Sequence, residues 1–241
     1  MRSAALAIAV LYGYAVALYA DEAAVRRMLQ EKLRAGQLES VQKAPVSGLY
    51  EVVVRGPDGP RIYYVDSAAT VIITGRVIDA KSGRDLTQER QRELTAIKWE
   101  SLPFQWAITS IRGTGRRKIA ILSDPNCPYC KRFEEDLAKL DDITIHILPW
   151  AVVKPESVRQ AKAVWCSKDR ARAWNDLMLR RIEPRAPTDC DNPIDKIIEI
   201  GHKLGASSTP TWFLETGERY SGAMPLEEVR QLLDRASPPK R

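Results

Sequence analysis

Two cysteines three positions apart, Cys127 and Cys130, directly follow an apolar run that is typical of a buried strand. The run from Ala120 to Phe133 predicts a strand, a short turn and a helix whose first turn carries both thiols. At a helix N-terminus, unpaired N–H groups and the helix dipole favour a thiolate. We therefore expect Cys127 to be an exposed nucleophile and Cys130, one turn further along, to be the resolving thiol.

The two residues between the cysteines are Pro128 and Tyr129. Pro128 suits the first helical position because its missing N–H is not needed there. A CxxC motif by itself is also compatible with half of a zinc site, and it is the strand leading into the motif that favours redox chemistry. A four-cysteine zinc site would need Cys166 and Cys190, which lack a second CxxC spacing, but a zinc-stapled adaptor stays an alternative.

Residues 1–20 have the order of residues of a secretory signal peptide. Arg2 is followed by an apolar run over residues 4–18 and then by small and acidic residues, with possible cleavage after Ala17 or Ala20. The run is short for a membrane anchor, which needs about 20 residues. We therefore expect export and removal of the segment, and an oxidising compartment in which disulfides persist.

The chain of 241 residues is 44% apolar and 28% charged, which is ordinary for a soluble globular protein. Its formal net charge of +6 comes from basic residues that are scattered along the sequence without interleaved aromatic residues. Because a nucleic-acid interface usually concentrates its basic residues, we expect no nucleic-acid partner.

Residues 21–80 predict a small N-terminal domain. Apolar residues recur at helical spacing over residues 21–33, and β-rich segments separated by turn residues follow at 49–54, 62–65 and 70–74. We expect a helix and a small antiparallel sheet of about four short strands. A core this small usually needs a partner surface, so we expect the domain to dimerise. A subdomain packed on the rest of the same chain is the alternative.

Residues 81–101 predict a linker helix, since the stretch 86–99 is rich in helix formers and poor in apolar residues. Residues 102–237 predict a second domain in which strands and helices alternate. We expect strands near 105–111, 118–123, 143–148, 211–215 and 219–221, a turn at Thr216-Gly217, and helices at 127–140, 155–168, 169–182, 193–204 and after Pro225. The order is a βαβ unit, a helical insertion and a hairpin followed by a helix.

Other residues of this domain also invite a chemical interpretation. Thr209-Pro210 stands directly before a predicted strand. A cis-proline in that place can bring the backbone of the preceding residue against an active site, and about 5% of X-Pro bonds are cis. In an exported protein, Cys166 and Cys190 are best interpreted as a structural disulfide that stabilises by about 3 kcal/mol. His146 and His202 would allow a Cys-His pairing, but isolated histidines are more often structural.

Together these features resemble the periplasmic thiol:disulfide interchange proteins of the DsbC and DsbG family, over nearly the whole mature chain. Similar segments in the family correspond to Ala44–Gly48 (APVSG), 162–166 (KAVWC), 190–193 (CDNP) and 204–210 (LGASSTP). A CxxC with a distant Thr-Pro is common to all thioredoxin-fold proteins. The Trp-Cys segment and the N-terminal domain are therefore the specific part of the resemblance.

The resemblance implies an α+β and α/β architecture: a cystatin-like dimerisation domain, a linker helix and a thioredoxin-like catalytic domain with a helical insertion. It implies that Cys127 and Cys130 are the redox pair. Pro210 would be a cis-proline, with the substrate-binding residue Thr209 before it. Cys166 and Cys190 would form the structural disulfide. It implies no metal or other cofactor. A V-shaped homodimer would act on misoxidised exported proteins in the periplasm, with a DsbD-like membrane reductase as electron donor.

The sequence departs from the DsbC pattern between the two cysteines. The dipeptide is Pro128-Tyr129, as in DsbG, where DsbC isomerases usually have Gly-Tyr, and these two residues help to set the redox poise. Isomerisation or reduction of disulfides is therefore the expected activity, and a DsbG-like reduction of sulfenylated cysteines is the alternative. A dimeric holdase chaperone with an incidental dithiol is a further alternative from a different class.

Overall fold

The computed structural model describes residues 22–32, 37–57 and 59–237. The expected signal peptide, residues 1–20, lies outside the described residues. The described residues divide into two compact units, one up to residue 91 and one from residue 92, and the division falls within the segment predicted to be a linker. Among the helices that the structure describes, none is long and apolar enough to cross a bilayer.

The N-terminal unit contains a helix and an antiparallel sheet of four strands in sequential order. Its elements are α1 (Glu22–Lys32), β1 (Gln37–Lys43), β2 (Leu49–Gly56), β3 (Gly59–Asp66) and β4 (Ile72–Ile73). Val25 and Leu29 of α1, four residues apart and therefore on one helix face, pack against a buried cluster of valines from β1, β2 and β3. The predicted antiparallel sheet is thus confirmed.

The sequence did not show where strand β1 lies, and the irregular pairing of this strand explains why. The apolar residues Leu38 and Val41 are three positions apart, whereas a regular strand places only even spacings on one face. The register of β1 against β2 shifts between Leu38 and Ser40, and the extra residue brings Leu38 and Val41 to the same side of the sheet. A β-bulge therefore hides the alternation that would have identified the strand.

Helix α2 (Leu86–Leu94) is shorter than the helix predicted over residues 86–99. The hydroxyl of Thr95 donates to the Arg92 carbonyl oxygen, and the Ile97 N–H donates to the Gly217 carbonyl oxygen, 3.1 Å away, instead of continuing the helix. A short 3-10 helix at Trp99–Ser101 follows. Contacts within the C-terminal unit thus override the helix propensity of these residues.

The C-terminal unit contains a five-stranded sheet in the order β5-β7-β6-β8-β9. The strands are β5 (Ile108–Arg112), β6 (Arg117–Ser123), β7 (Ile143–Pro149), β8 (Thr211–Leu214) and β9 (Arg219–Ser221). Strands β6 and β7 are parallel, as their connection by a helix requires, and the other pairings are antiparallel. Residues 119–123 of the central strand β6 are wholly buried, which confirms the continuous apolar run of the sequence.

Five helices complete this unit, namely α3 (Pro128–Leu137), α4 (Pro155–Trp165), α5 (Arg170–Arg180), α6 (Ile194–Lys203) and α7 (Leu226–Ala236). Helix α3 crosses over from β6 to β7 and begins directly after the buried end of β6. Helices α4, α5 and α6 form the insertion before β8. A disulfide joins Cys166, at the end of α4, to Cys190 in the loop before α6, with the two Cα atoms 5.8 Å apart.

Two glycines of the β8–β9 region provide a matched test of this packing. Gly217 and Gly222 have nearly the same left-handed backbone, with φ of 85° and 83°. A Cβ atom at Gly217 would overlap the Ile97 carbonyl oxygen, whereas a Cβ at Gly222 meets nothing within 4 Å. Any side chain at either position carries the strain of a positive φ.

We expect Gly217→Ala to lower the free energy of unfolding by about 2–4 kcal/mol, because backbone strain and overlap with a fixed carbonyl add together. Gly222→Ala should lower it by only about 1 kcal/mol, since strain alone acts there. Urea unfolding followed by tryptophan fluorescence measures both values. Equal losses for the two variants would contradict the packing of residue 97 against this turn.

Candidate active site

A buried carboxylate fixes the turn between β6 and α3. Asp124, which has no exposed surface, accepts hydrogen bonds from the backbone N–H groups of Asn126, Val152 and Val153 at 2.7, 2.7 and 2.8 Å and from the Ser157 hydroxyl at 2.9 Å. Buried polar groups need such partners to offset their lost hydration. The carboxylate thus holds the loop after β7 beside the turn that leads into α3.

Cys127 is the N-cap residue of α3, and its own sulfur acts as the capping acceptor. The backbone N–H of Cys130 donates to Cys127 Sγ across 3.3 Å, and Pro128 occupies the first helical turn as predicted. Capping side chains normally offer an oxygen to this N–H group, because it has no partner within the helix. Here a sulfur takes that place, where the helix dipole favours a negative charge.

The segment before β8 lies directly against this sulfur. The Thr209-Pro210 peptide bond is cis, and Cys127 Sγ is 3.4 Å from the Thr209 carbonyl oxygen, to which the thiol donates. The segment is held in place by the Thr211 hydroxyl, which donates to the Ser208 carbonyl oxygen, and by the Gly222 N–H, which donates to the Pro210 carbonyl oxygen. Cys127 and Thr209, which are 82 positions apart in the sequence, are therefore in direct contact through the Cys127 sulfur.

The expectation that Cys127 is exposed is wrong. Cys127 retains 3% of its accessible surface, because the Thr209 carbonyl covers the sulfur on one side and the first turn of α3 covers it on another. Cys130 is wholly buried. Pro128 and Tyr129, between the two thiols, are exposed, and Tyr129 keeps 63% of its surface.

The two thiols have opposite tendencies to ionise. The Cys130 side chain donates to the Cys127 sulfur and, together with Thr209 and the backbone N–H groups of Cys130 and Tyr129, lowers the pKa of Cys127 to about 6 against the opposing effect of burial. Burial, followed by the bond to Cys127, raises the pKa of Cys130 far above its usual range. Near neutral pH, one thiol is therefore a nucleophilic thiolate and the other remains protonated.

Comparisons with known proteins agree with this geometry. Residues 16–88 match the family model of the disulfide bond isomerase protein N-terminal domain, and residues 104–237 match that of a thioredoxin-like domain. A probable thiol:disulfide interchange protein DsbC of Bordetella pertussis is 34% identical over 211 residues, which cover 87% of this chain and 73% of that protein. This chain belongs to the DsbC family of thiol:disulfide interchange proteins.

A second relative and a solved structure support the assignment. The thiol:disulfide interchange protein DsbC of Escherichia coli is 26% identical over 222 residues, 89% of this chain and 88% of that protein. The crystal structure of a disulfide interchange protein from Neisseria gonorrhoeae is similar to this fold, with a TM-score of 0.54 and a sequence identity of 33%. The match covers 56% of this chain and 98% of that chain. The predicted family, two-domain fold and enzyme class, a disulfide isomerase or thiol-disulfide oxidoreductase, are confirmed.

The remaining cysteines and the histidines of this DsbC-family chain lie elsewhere in the fold. The disulfide removes the thiolates of Cys166 and Cys190 that a four-cysteine zinc site would need. His146 hydrogen-bonds the Thr109 hydroxyl at 2.9 Å and packs against aromatic rings, and burial lowers its pKa. His202 packs edge-on against Trp150. These contacts fit structural roles for both histidines.

Sequence reasoning missed two buried carboxyl groups near the dithiol, Asp124 and Glu134. Asp124 directly follows the buried end of β6, and an acid in such a buried position usually has several donors. Glu134 lies four residues after Cys130 and therefore on the same face of α3. The helical spacing was available in the sequence, but the hydrogen-bond partners come from β6 and from the insertion.

The pKa of Cys127 offers a direct test. In Cys130→Ala, Cys127 loses its strongest stabilising donor, so its pKa should rise above about 6, whereas Cys130→Ser keeps a hydroxyl donor and should leave the pKa close to the wild-type value. Ultraviolet thiolate absorbance of the single-thiol variants, recorded against pH, measures both. If the alanine and serine variants titrate together, the side chain of residue 130 does not control the Cys127 thiolate.

Proposed function

We propose that this chain isomerises or reduces incorrect disulfides in exported proteins through its Cys127-Pro128-Tyr129-Cys130 dithiol. One observation carries the proposal. The sulfur of Cys127 caps helix α3, has a pKa lowered to about 6 and lies 3.4 Å from the Thr209 carbonyl oxygen, at the point where three segments of the chain meet. A thiolate available near neutral pH is the species that attacks a disulfide.

In the first step, Cys127 Sγ attacks one sulfur of a substrate disulfide. A bond forms between Cys127 and that sulfur, and the second substrate sulfur leaves as a thiolate. Two fates follow for the mixed disulfide. A substrate thiol can attack its own sulfur and release Cys127, which isomerises the substrate with no net oxidation, or Cys130 Sγ can attack Cys127 Sγ, which forms the Cys127–Cys130 disulfide and releases a reduced substrate.

Thr209 and Pro210 are the proposed substrate-binding residues. Thr209 is half-buried and contacts the reacting sulfur, so a peptide that brings its disulfide to Cys127 must also pass the Thr209 backbone. An extended peptide can pair there through backbone hydrogen bonds, which makes recognition independent of substrate sequence. The exposed Pro128 and Tyr129 border the same sulfur and are the proposed tuning residues.

The remaining parts of the proposal rest on the family resemblance. Residues 1–20 direct export to the periplasm, residues 21–80 join two copies into a homodimer, and residues 102–237 carry the catalysis. The substrates are misoxidised exported proteins, and a DsbD-like membrane reductase returns electrons to the dithiol. No nucleic acid, metal or other cofactor takes part.

Refolding of scrambled ribonuclease tests the roles of the two thiols. Cys127→Ser should reduce the rate to that of the uncatalysed reaction, because the only ionised thiol of the dithiol is gone. Cys130→Ser should still form the mixed disulfide and accumulate it as a covalent complex visible on a non-reducing gel. Full activity of Cys127→Ser contradicts the nucleophile assignment.

The holdase alternative is tested by a separate experiment in cells. A variant with both Cys127→Ser and Cys130→Ser lacks all thiol chemistry at this site but keeps the surface of the protein. If this double variant restored folding of exported proteins in cells as well as the wild type does, the dithiol would be incidental and the protein would act as a chaperone.

Pro128 favours a second candidate function, the reduction of sulfenylated cysteines, because the resemblance associates the Pro-Tyr dipeptide with that activity. Here the Cys127 thiolate attacks the sulfur of a sulfenic acid, a mixed disulfide forms and hydroxide leaves. We expect Pro128→Gly to raise the rate on scrambled disulfides relative to the rate on a sulfenylated protein. An unchanged ratio of the two rates would show that residue 128 does not select the substrate.

A further inference from the structure

The residue directly before the nucleophile has a side chain that the interchange steps above do not use. Asn126 is half-buried, and its backbone N–H is held by the Asp124 carboxylate. Its side-chain amide nitrogen donates to two acceptors on helix α4, Ser157 Oγ at 2.9 Å and Gln160 Oε1 at 2.7 Å. Because the Cα atoms of consecutive residues are about 3.8 Å apart, this fixed side chain begins next to the backbone of Cys127.

The Asp124 carboxylate decides which way the first of these two hydrogen bonds runs. Ser157 has no exposed surface, and its hydroxyl donates to Asp124 Oδ1 at 2.9 Å. A hydroxyl has one proton to donate, and a carboxylate only accepts. Since the proton of Ser157 is used on Asp124, its oxygen can only accept from Asn126 and must face the amide nitrogen of that residue.

A second carboxylate, that of Glu183, decides the direction of the other hydrogen bond. The amide nitrogen of the buried Gln160 donates to Glu183 Oε1 at 2.6 Å, three residues after the end of α5. The amide oxygen of Gln160 is thereby turned towards Asn126. Both neighbours on α4 therefore accept, and both require the amide nitrogen of Asn126 to point at them.

The other atom of the Asn126 amide, the oxygen Oδ1, is left without a partner. Within the part of the chain that the structure describes, no group donates to this oxygen. It is also not one of the buried side-chain atoms that lack a hydrogen bond, so it is open to solvent. A ligand that donates to it has no orienting cost to meet on the protein side, because the side chain is already fixed.

We propose that Asn126 is a substrate-binding residue whose Oδ1 accepts a hydrogen bond from a backbone N–H of the substrate peptide next to the attacked disulfide. Gln160 and Glu183 are positioning residues that keep this oxygen turned outwards. The inference rests on the proposed role of Cys127. A peptide N–H is present whatever the side chains of the substrate, so Asn126 favours polypeptide disulfides over small-molecule disulfides without selecting a sequence.

The contact acts on the substrate and not on the thiol. The pKa of Cys127 is lowered chiefly by the Cys130 side chain, then by Thr209 and the backbone N–H groups of Cys130 and Tyr129, against the effect of burial. The Asn126 side chain is not among these groups. A change at Asn126 should therefore leave the thiolate, and its reaction with a disulfide that has no peptide N–H, as they are.

Two matched compounds test the contact, a short peptide whose cysteine carries thionitrobenzoate as a mixed disulfide and mercaptoethanol with the same group. Cys127 of the reduced full-length protein attacks the peptide or mercaptoethanol sulfur, and thionitrobenzoate leaves as a coloured thiolate that stopped flow records. Asn126→Ala should react about 3- to 10-fold more slowly with the peptide, the effect of one lost hydrogen bond. It should react with the mercaptoethanol compound at the wild-type rate.

Peptides that are methylated on one backbone nitrogen identify the donor. The methyl group replaces the N–H of the cysteine, or of the residue on either side of it. In the wild type, one of these methylations should slow the reaction by about the factor that Asn126→Ala loses, and in Asn126→Ala the same methylation should cost nothing further. If no methylation is coupled to Asn126 in this way, the inference is overturned.

Three variants test the positioning residues. Glu183→Ala frees the Gln160 amide to turn over and donate to Asn126 Oδ1, so the peptide reaction should slow, by less than in Asn126→Ala because Ser157 still holds the amide. Glu183→Gln keeps an oxygen acceptor and should restore the rate. Arg159→Ala removes the other partner of the Glu183 carboxylate, 3.4 Å from Oε2, and should behave like the wild type. Equal peptide rates in Glu183→Ala and the wild type overturn the positioning role.

The outcomes separate this inference from the proposed function. A wild type that releases no thionitrobenzoate from either compound overturns the role of Cys127. Equal losses on both compounds in Asn126→Ala show an effect on the thiol and overturn the substrate contact.

If Asn126→Ala does not fold, the Cys130→Ser protein provides a second measurement, since it retains the mixed disulfide with the peptide. The NMR shift of the Asn126 side-chain carbonyl carbon should change when this disulfide forms. The change should be absent with the methylated peptide that reacts slowly with the wild type. The same shift with both peptides contradicts the hydrogen bond.

Discussion

The capping of helix α3 by the Cys127 sulfur, which accepts a hydrogen bond from the Cys130 backbone N–H, is the arrangement that places the reacting thiol. This cap exists because a strand that is buried over residues 119–123 leads into a helix whose first residue is a proline, so that the cysteine before the proline becomes the cap. The Asp124 carboxylate fixes the turn that makes this possible. The end of the sheet strand, the turn and the first turn of the helix thus together position the Cys127 sulfur.

The same small region keeps two identical side chains in different protonation states. Cys127 faces donors at the helix terminus and has a lowered pKa, whereas Cys130 lies one turn deeper among apolar residues and has a raised one. Since attack on a foreign disulfide needs only the first thiolate, the second sulfur can remain protonated until the mixed disulfide forms. The different roles proposed for the two cysteines therefore follow from their positions in α3, since Cys127 caps the helix and Cys130 is buried one turn further along.

The sequence predicted the elements of the C-terminal unit within a few residues, because the central strands β6, β7 and β8 are largely apolar and a proline stands at the start of helices α3, α4, α6 and α7. It failed where a distant segment or an irregularity decides the outcome. The burial of Cys127 depends on a carbonyl 82 positions away, and the bulge in β1 disguises its alternation. The partners of Asp124 and Glu134 likewise come from other elements, which no local pattern reveals.

In this molecule one cysteine pair is reduced and the other is oxidised at the same time. Cys166 is half-buried and Cys190 is exposed, so the disulfide of the insertion is accessible to solvent. Any electron donor that recharges Cys127 and Cys130 must therefore leave this second cystine intact. A reductant that supports the proposed activity thus has to distinguish the Cys127–Cys130 disulfide from the Cys166–Cys190 disulfide within one domain, by the surroundings of each sulfur and not by its distance along the chain.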